Sequence, residues 1–326
     1  MRAWRAAPGR SAMAGGRETA PGFAARWRIY FSERFPPLQH GVLIAAFVVG
    51  ALAFSARLHG HPDLPGLRSL LPAFAVIFLL LLQLRILDEF KDYEDDARWR
   101  PYRPVPRGLV TLHALGRLWA GAAAAQLALV LLSVPGLAPL LVAIWLYAGL
   151  MGVEFFVRDW LKARPVAYMA SHMVIVPMMA LFITAFDWLP AGAPDGRIGW
   201  LLAMSYFSFC VIEIGRKIRA PADEEPGVET YSALWGRRGA VVAWLGSMAA
   251  AGGLATGMGG AVGVAVPAAA GAALLLAVAL GAGVAFLRHP RPGTGGRFQL
   301  LSGLWTLVMF LVPGLAPWLP GSGVAP

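Results

Sequence analysis

The chain has 326 residues, of which 58% are hydrophobic and 14% charged, with 28 Lys and Arg against 18 Asp and Glu. A soluble domain carries roughly a quarter charged residues. The mean hydropathy of +0.61 excludes disorder and an ordinary soluble enzyme, because a bilayer rather than water accepts that much apolar surface. A single cysteine, Cys210, lies inside an apolar run and excludes a disulfide scaffold or a cysteine-based zinc cluster.

Residues 1–37 hold seven Arg, scattered Gly and Pro, and no apolar stretch. A secretory signal needs an apolar segment soon after its basic start. The segment therefore reads as a basic cytoplasmic tail, partly disordered, resting on anionic lipid. Apolar runs long enough to span a bilayer follow at 39–57, 69–87, 112–133, 136–154, 167–187, 198–213, 239–258, 261–286 and 299–318. Backbone groups in lipid find no water, so these runs are predicted helices. They are continuous rather than alternating, which excludes a β-barrel. The expectation is an all-α polytopic membrane protein: one nine-helix domain over 38–320 and a short C-terminal tail, 321–326.

With the N-terminus inside, 25 of the 28 basic residues fall on the cytoplasmic side, and Arg57, Arg68 and Arg197 remain opposite. That asymmetry predicts the N-terminus in and the C-terminus out. It assigns the net charge of +10 to loop anchoring rather than to nucleic acid.

Eleven of the 18 acids occupy two short segments, 88–96 and 213–229, both at cytoplasmic helix ends. In the first, Asp88, Asp92 and Asp96 recur every fourth residue, one face of a helix, with Glu89 beside them. Like charges so placed repel, and a hard divalent cation removes the repulsion. Mg²⁺ takes one or two carboxylates, waters and substrate phosphate oxygens. Arg98 follows at once, and Arg100, Arg103 and Arg107 lie on the Pro-stiffened stretch 100–108. Acids then bases at a membrane edge suit a metal–diphosphate complex.

This run resembles the first aspartate-rich motif of the UbiA superfamily of intramembrane prenyltransferases, N-D-x-x-D-x-x-x-D followed by R-x-x-R-P and a small residue. Asp88 stands at the Asn position and Glu89 at the first Asp. Asp92 and Asp96 match directly, as do Arg100-Pro101-Tyr102-Arg103-Pro104 and Gly108. The family's second motif is D-x-x-x-D and then Gly-x-x-Thr. Gly227-Val228-Glu229-Thr230 matches the latter, and Glu213 serves as the first acid, but Lys217 occupies the second acidic position. Two arrangements answer this departure. Arg216 and Lys217 bind diphosphate directly, or Asp223–Glu225 fold back as ligands. The first is favoured because Glu213 and Lys217 lie one turn apart. The basic loop after the fourth run, with Arg158 and Lys162, resembles the family's diphosphate grip.

The resemblance implies Mg²⁺-dependent transfer of an isoprenyl group from a prenyl diphosphate to a lipophilic acceptor, with membrane lipid around the site. Asp88, Glu89, Asp92, Asp96 and Glu213 would hold metal, Asp92, Asp96 and Glu213 being the catalytic acids. Lys91, Arg100, Arg103, Arg158, Lys162, Arg216 and Lys217 would hold diphosphate. Tyr168, Ser171, His172 and Tyr206 would line the acceptor and prenyl pocket. Aromatic faces steady a carbocation, and a His inside a span faces the bundle interior or a cavity. The altered second motif leaves room for a UbiA-type terpene cyclase that needs no acceptor. A transporter or lipid-phosphate binder with the same charged mouth is the non-catalytic alternative. No H-E-x-x-H, G-x-S-x-G or Walker pattern occurs.

Overall fold

The computed structural model describes residues 21–190 and 192–320; the first twenty residues of the basic tail and the C-terminal tail 321–326 lie outside the described residues. Thirteen α-helices run in chain order: α1 Phe23–Arg34, α2 Pro37–Leu58, α3 Leu67–Lys91, α4 Tyr93–Trp99, α5 Leu112–Ser133, α6 Ala138–Gly152, α7 Arg158–Lys162, α8 Pro165–Met173, α9 Ile175–Trp188, α10 Ile198–Gly215, α11 Tyr231–Ala261, α12 Ala265–Arg288 and α13 Gly295–Leu315. Nine segments among the described residues are long and apolar enough to cross a membrane.

Seven of these segments follow the sequence expectation closely, and two depart from it. The seventh begins at Tyr231 rather than near residue 239. Arg237 and Arg238 lower hydropathy there, yet Thr230 caps the helix by accepting the Ala233 N–H, and the chain bends at Gly236. The fifth is two helices, α8 and α9, interrupted at Val174, where the dihedrals stay helical (φ −60°, ψ −27°) but Pro177 offers no N–H to the Met173 carbonyl. The carbonyls of Ser171 and Ala170, just before the break, accept the hydroxyls of Tyr147 at 2.6 Å and Tyr206 at 3.2 Å. Lipid cannot solvate such groups, so a break inside a span needs partners of this kind.

Successive spans pack side by side, and α13 closes the ring against α2. α2 and α10 are the most buried spans, whereas α5, α6 and α12 keep most of their surface outward. Gly314 lies against the backbone of Gly50, where a Cβ would meet the Gly50 oxygen at 2.6 Å. Two glycines thus let α2 and α13 touch backbone to backbone, the usual device for helix association in lipid.

The amino-terminal helix α1 lies beneath one rim of the ring. Tyr30 and Phe35 are buried with Leu82, Ile86, Val105, Val110 and Leu115 in a satellite core. The basic segment before α2 therefore includes a docked helix over its described part.

Candidate functional site

The first acidic segment does not present one face. Asp92 ends α3 and precedes α4, with φ −96° and ψ 7°. The kink divides the acids into two groups.

Glu89 and Asp96 turn toward α1. Arg34 Nε donates to Glu89 Oε1 at 2.5 Å, and Arg85 lies 3.7 Å from the same carboxylate. Asp96 is clasped by Arg100 and Arg103, one on each oxygen, both at 2.5 Å. Both acids are almost wholly buried. Of the residues expected to hold metal and diphosphate, Asp96 is thus paired with Arg100 and Arg103, and Glu89 with Arg34. Each buried acid has its own basic partners, because unpaired charges at that depth would be expensive. Burial, and next the Glu89 charge, push the nearby Tyr30 hydroxyl well above the ordinary phenol range.

Asp88 and Asp92 form the second group. Asp88 meets Arg85 at 3.2 Å and Lys91 at 3.9 Å. Asp92 makes no ion pair among the described residues. Burial, and then the carboxylates of Asp88 and Asp96, push its pKa above the usual carboxylate range, while Lys91 opposes them. This is the electrostatic state a divalent cation would relieve.

Across the rim, Glu213 is held by Arg216 at 2.5 Å and Lys217 at 3.1 Å. Lys217 also stands 5.3 Å from the Tyr231 ring centre. The Arg216 guanidinium is raised first by Glu213 and further by Asp88. The charge of Asp88 on the first segment thus bears on Arg216 of the second. Asp223–Glu225 do not fold back to join Glu213. Asp223 accepts the Gly293 N–H at 2.8 Å, Glu224 takes the Thr230 hydroxyl, and Glu225 accepts from Tyr102 at 2.6 Å. Gly227, at φ +72°, lets the Trp99 ring lie where a Cβ would collide with it. The stretches 93–111 and 216–230 are thus tied together over the rim.

The loop after α6 adds a residue that sequence reasoning passed over. Glu154 is 3% exposed and lies 3.9 Å from Lys91 and 3.7 Å from Arg158. Glu154, Phe155 and Phe156 all have φ near +50 to +60°, a conformation non-glycine residues rarely adopt in succession. The available signal was an acid at the very end of an apolar run. Lys162 reaches outward to Asp95 at 3.5 Å.

Lys91 donates to the Tyr168 hydroxyl at 2.6 Å, and Tyr168 stacks on His172 with ring centres 4.0 Å apart. Ser171 bonds back to the Tyr168 carbonyl, and its Oγ is 3.3 Å from His172 Nδ1. Tyr206 lies nearby with its hydroxyl committed to the α8–α9 break. Among the described residues no three His, Cys, Asp or Glu side chains form a metal cage. Asp88 and Asp92 would be the residues to supply the one or two carboxylates that Mg²⁺ takes beside substrate phosphate.

The nine spans among the described residues, with acids and bases gathered on one rim, share their fold with solved structures of UbiA type. A UbiA homolog from Aeropyrum pernix K1, in its apo form, superposes with a TM-score of 0.62 over 84% of this chain and 97% of its own, at 18% identity. A structure from work on digeranylgeranylglyceryl phosphate synthase in membranes gives a TM-score of 0.55 over 89% and 99%, at 16% identity. In sequence, digeranylgeranylglyceryl phosphate synthase of Thermococcus kodakarensis is 26% identical over 204 residues, 61% of this chain and 67% of that protein. No family model matches.

Proposed function

We propose that this protein is a UbiA-type prenyltransferase that moves an isoprenyl group from its diphosphate to a lipophilic acceptor in the membrane. One observation carries the reading: Tyr102 bonds to Glu225 and Trp99 packs on Gly227, so the first acidic segment and the Glu213–Lys217 cluster share a rim, and the charge of Asp88 bears on Arg216 there. Asp88 and Asp92 would hold Mg²⁺, which neutralises charge on a departing diphosphate. Lys91, Arg216 and Lys217 supply fixed cations at the same rim, and Arg158 and Lys162 extend them along the α6–α8 loop. Cations aimed at developing negative charge lower the barrier to C–O cleavage. Lys217 takes over the charge neutralisation that a second metal-binding acid would otherwise support. The faces of Tyr168, Phe155 and Tyr231 steady the allylic cation. The interior walls of the ring keep water from it. The rim is cytoplasmic, with the N-terminus inside, by the distribution of basic residues.

The test uses the full chain in lipid nanodiscs with farnesyl or geranylgeranyl diphosphate, following diphosphate release and prenylated lipid. Asp92→Ala and EDTA are each expected to abolish turnover while the protein still inserts and folds. Full activity in either case overturns the metal assignment. Hydrocarbon released without any acceptor would instead identify a cyclase.

A further inference from the structure

The outward face of α6 does not stop where the helix does. Leu146 and Leu150 lie one turn apart on it, Val153 follows just past its end, and all three are exposed. α6 belongs to a span that buries little of its surface, so this stripe faces lipid. The exposed apolar series then continues beyond the span. Phe156 is 81% exposed, and Val157 and Trp160 are exposed as well. Water disfavours three large apolar side chains within five residues.

The backbone turns Phe156 outward. Glu154, Phe155 and Phe156 are left-handed in succession, at φ +49°, +54° and +60°, a costly state for residues with a Cβ. Inward contacts hold the first two. Glu154 lies 3.9 Å from Lys91, and the Phe155 ring meets Tyr147 and His172 edge-on at 5.6 and 5.8 Å. The Phe156 ring is left outside. α7 repeats the division. Arg158 and Lys162 reach inward to Glu154 at 3.7 Å and Asp95 at 3.5 Å. Val157 and Trp160, three residues apart, take the other side. The Arg164 guanidinium stands over the Trp160 ring at 4.6 Å and donates to the Trp160 carbonyl at 3.3 Å. A ring with a cation on its face suits the level of lipid headgroups, where the ring meets acyl carbon and the cation meets phosphate.

We propose that the α6–α8 loop is an interfacial anchor: Phe156, Val157 and Trp160 sink into the acyl edge of the leaflet on the acidic-rim side, with Arg164 at the lipid phosphates. The occupant is the protein's own bilayer, because the exposed series continues the lipid face of α6 and carries a cation where anionic headgroups lie. The inference goes beyond the prenyl-transfer reading and stands without it. Its consequence is positional: the membrane holds the outer side of a strained turn whose inner side seats Glu154 beside Lys91.

The test measures spin-label depth on the full chain in nanodiscs of phosphatidylcholine and phosphatidylglycerol. Labels are introduced by Phe156→Cys, Trp160→Cys and Asp159→Cys, all exposed positions. Cys210 is buried, so the introduced thiol takes the label. Relative to Asp159→Cys, the labels of Phe156→Cys and Trp160→Cys should collide more with oxygen and less with a nickel chelate. Nickel collisions as frequent as in Asp159→Cys place the loop in water and overturn the proposal. Shielding from both probes shows a protein partner in place of lipid and also overturns it. A second measurement keeps an aromatic ring in place. Lipid brominated near the glycerol end of its acyl chains should quench a part of the wild-type tryptophan emission that Trp160→Phe lacks. A quenched part of equal size in the two proteins overturns the anchor.

Discussion

The two ends of the ring treat charge in opposite ways. At the end away from the acidic segments, Asp195 and Asp187 are satisfied close by. Asp195 is held by Arg197 two residues on, at 2.7 Å. Asp187 accepts Ser55 at 2.6 Å and lies within 3.0 and 3.2 Å of His59 and His61. At the acidic rim, pairing is incomplete. Glu89 and Asp96 are closed off by arginines, whereas Asp92 has no ion pair among the described residues and sits in the combined field of Lys91, Asp88 and Asp96. Charge that is fully matched serves the fold. Charge left mismatched inside a membrane protein marks where a ligand completes it.

That contrast can be broken by substitution, starting where the effect is largest. Asp92→Ala should remove several kcal/mol of charge stabilisation, about 10³-fold or more in kcat/KM, with the thermal melting midpoint unchanged or raised. Steady-state kinetics beside a melting curve will show whether the two separate. Arg216→Ala should lower kcat/KM by about 10²-fold, as loss of one transition-state donor does, again with little change in melting. Arg34→Ala should act in the reverse sense. It strands buried Glu89 and should lower stability by ~3 kcal/mol or more, read from denaturation in detergent.

At the opposite end, Asp187→Ala should destabilise by about 1–3 kcal/mol, since Ser55 and two imidazoles lose their acceptor, with kcat intact. Arg197→Ala is the smallest. Its hydrogen bonds hold the Asp195 carboxyl down at about 2, so the pair's contribution is present above the ordinary carboxylate pKa and fades as pH falls toward 2. Exposure limits its worth to less than ~1 kcal/mol, and titration of Asp195 by NMR should show the carboxyl returning to its usual range.

The spans were legible because lipid leaves an apolar run of that length little choice but a helix. Local pairs were legible too: Glu213, Arg216 and Lys217 meet at helical spacing. What composition could not show was partnership across distance. Arg34 and Glu89 are 55 residues apart, and no local pattern shows that they pair. The kink at Asp92 is one residue long, yet it turns Asp96 away from Asp88. Glu154 depends on three left-handed residues that no propensity favours. Tyr206 had the look of a pocket aromatic, whereas its hydroxyl repairs the broken fifth span.

The anchoring of α1 has a practical corollary. Because Arg34 grips the helix that carries Asp88 and Asp92, a shortened version beginning at the first membrane crossing would be cut loose from its own chemistry. Such a fragment would be expected to insert, to look intact by its helical content, and to turn over slowly.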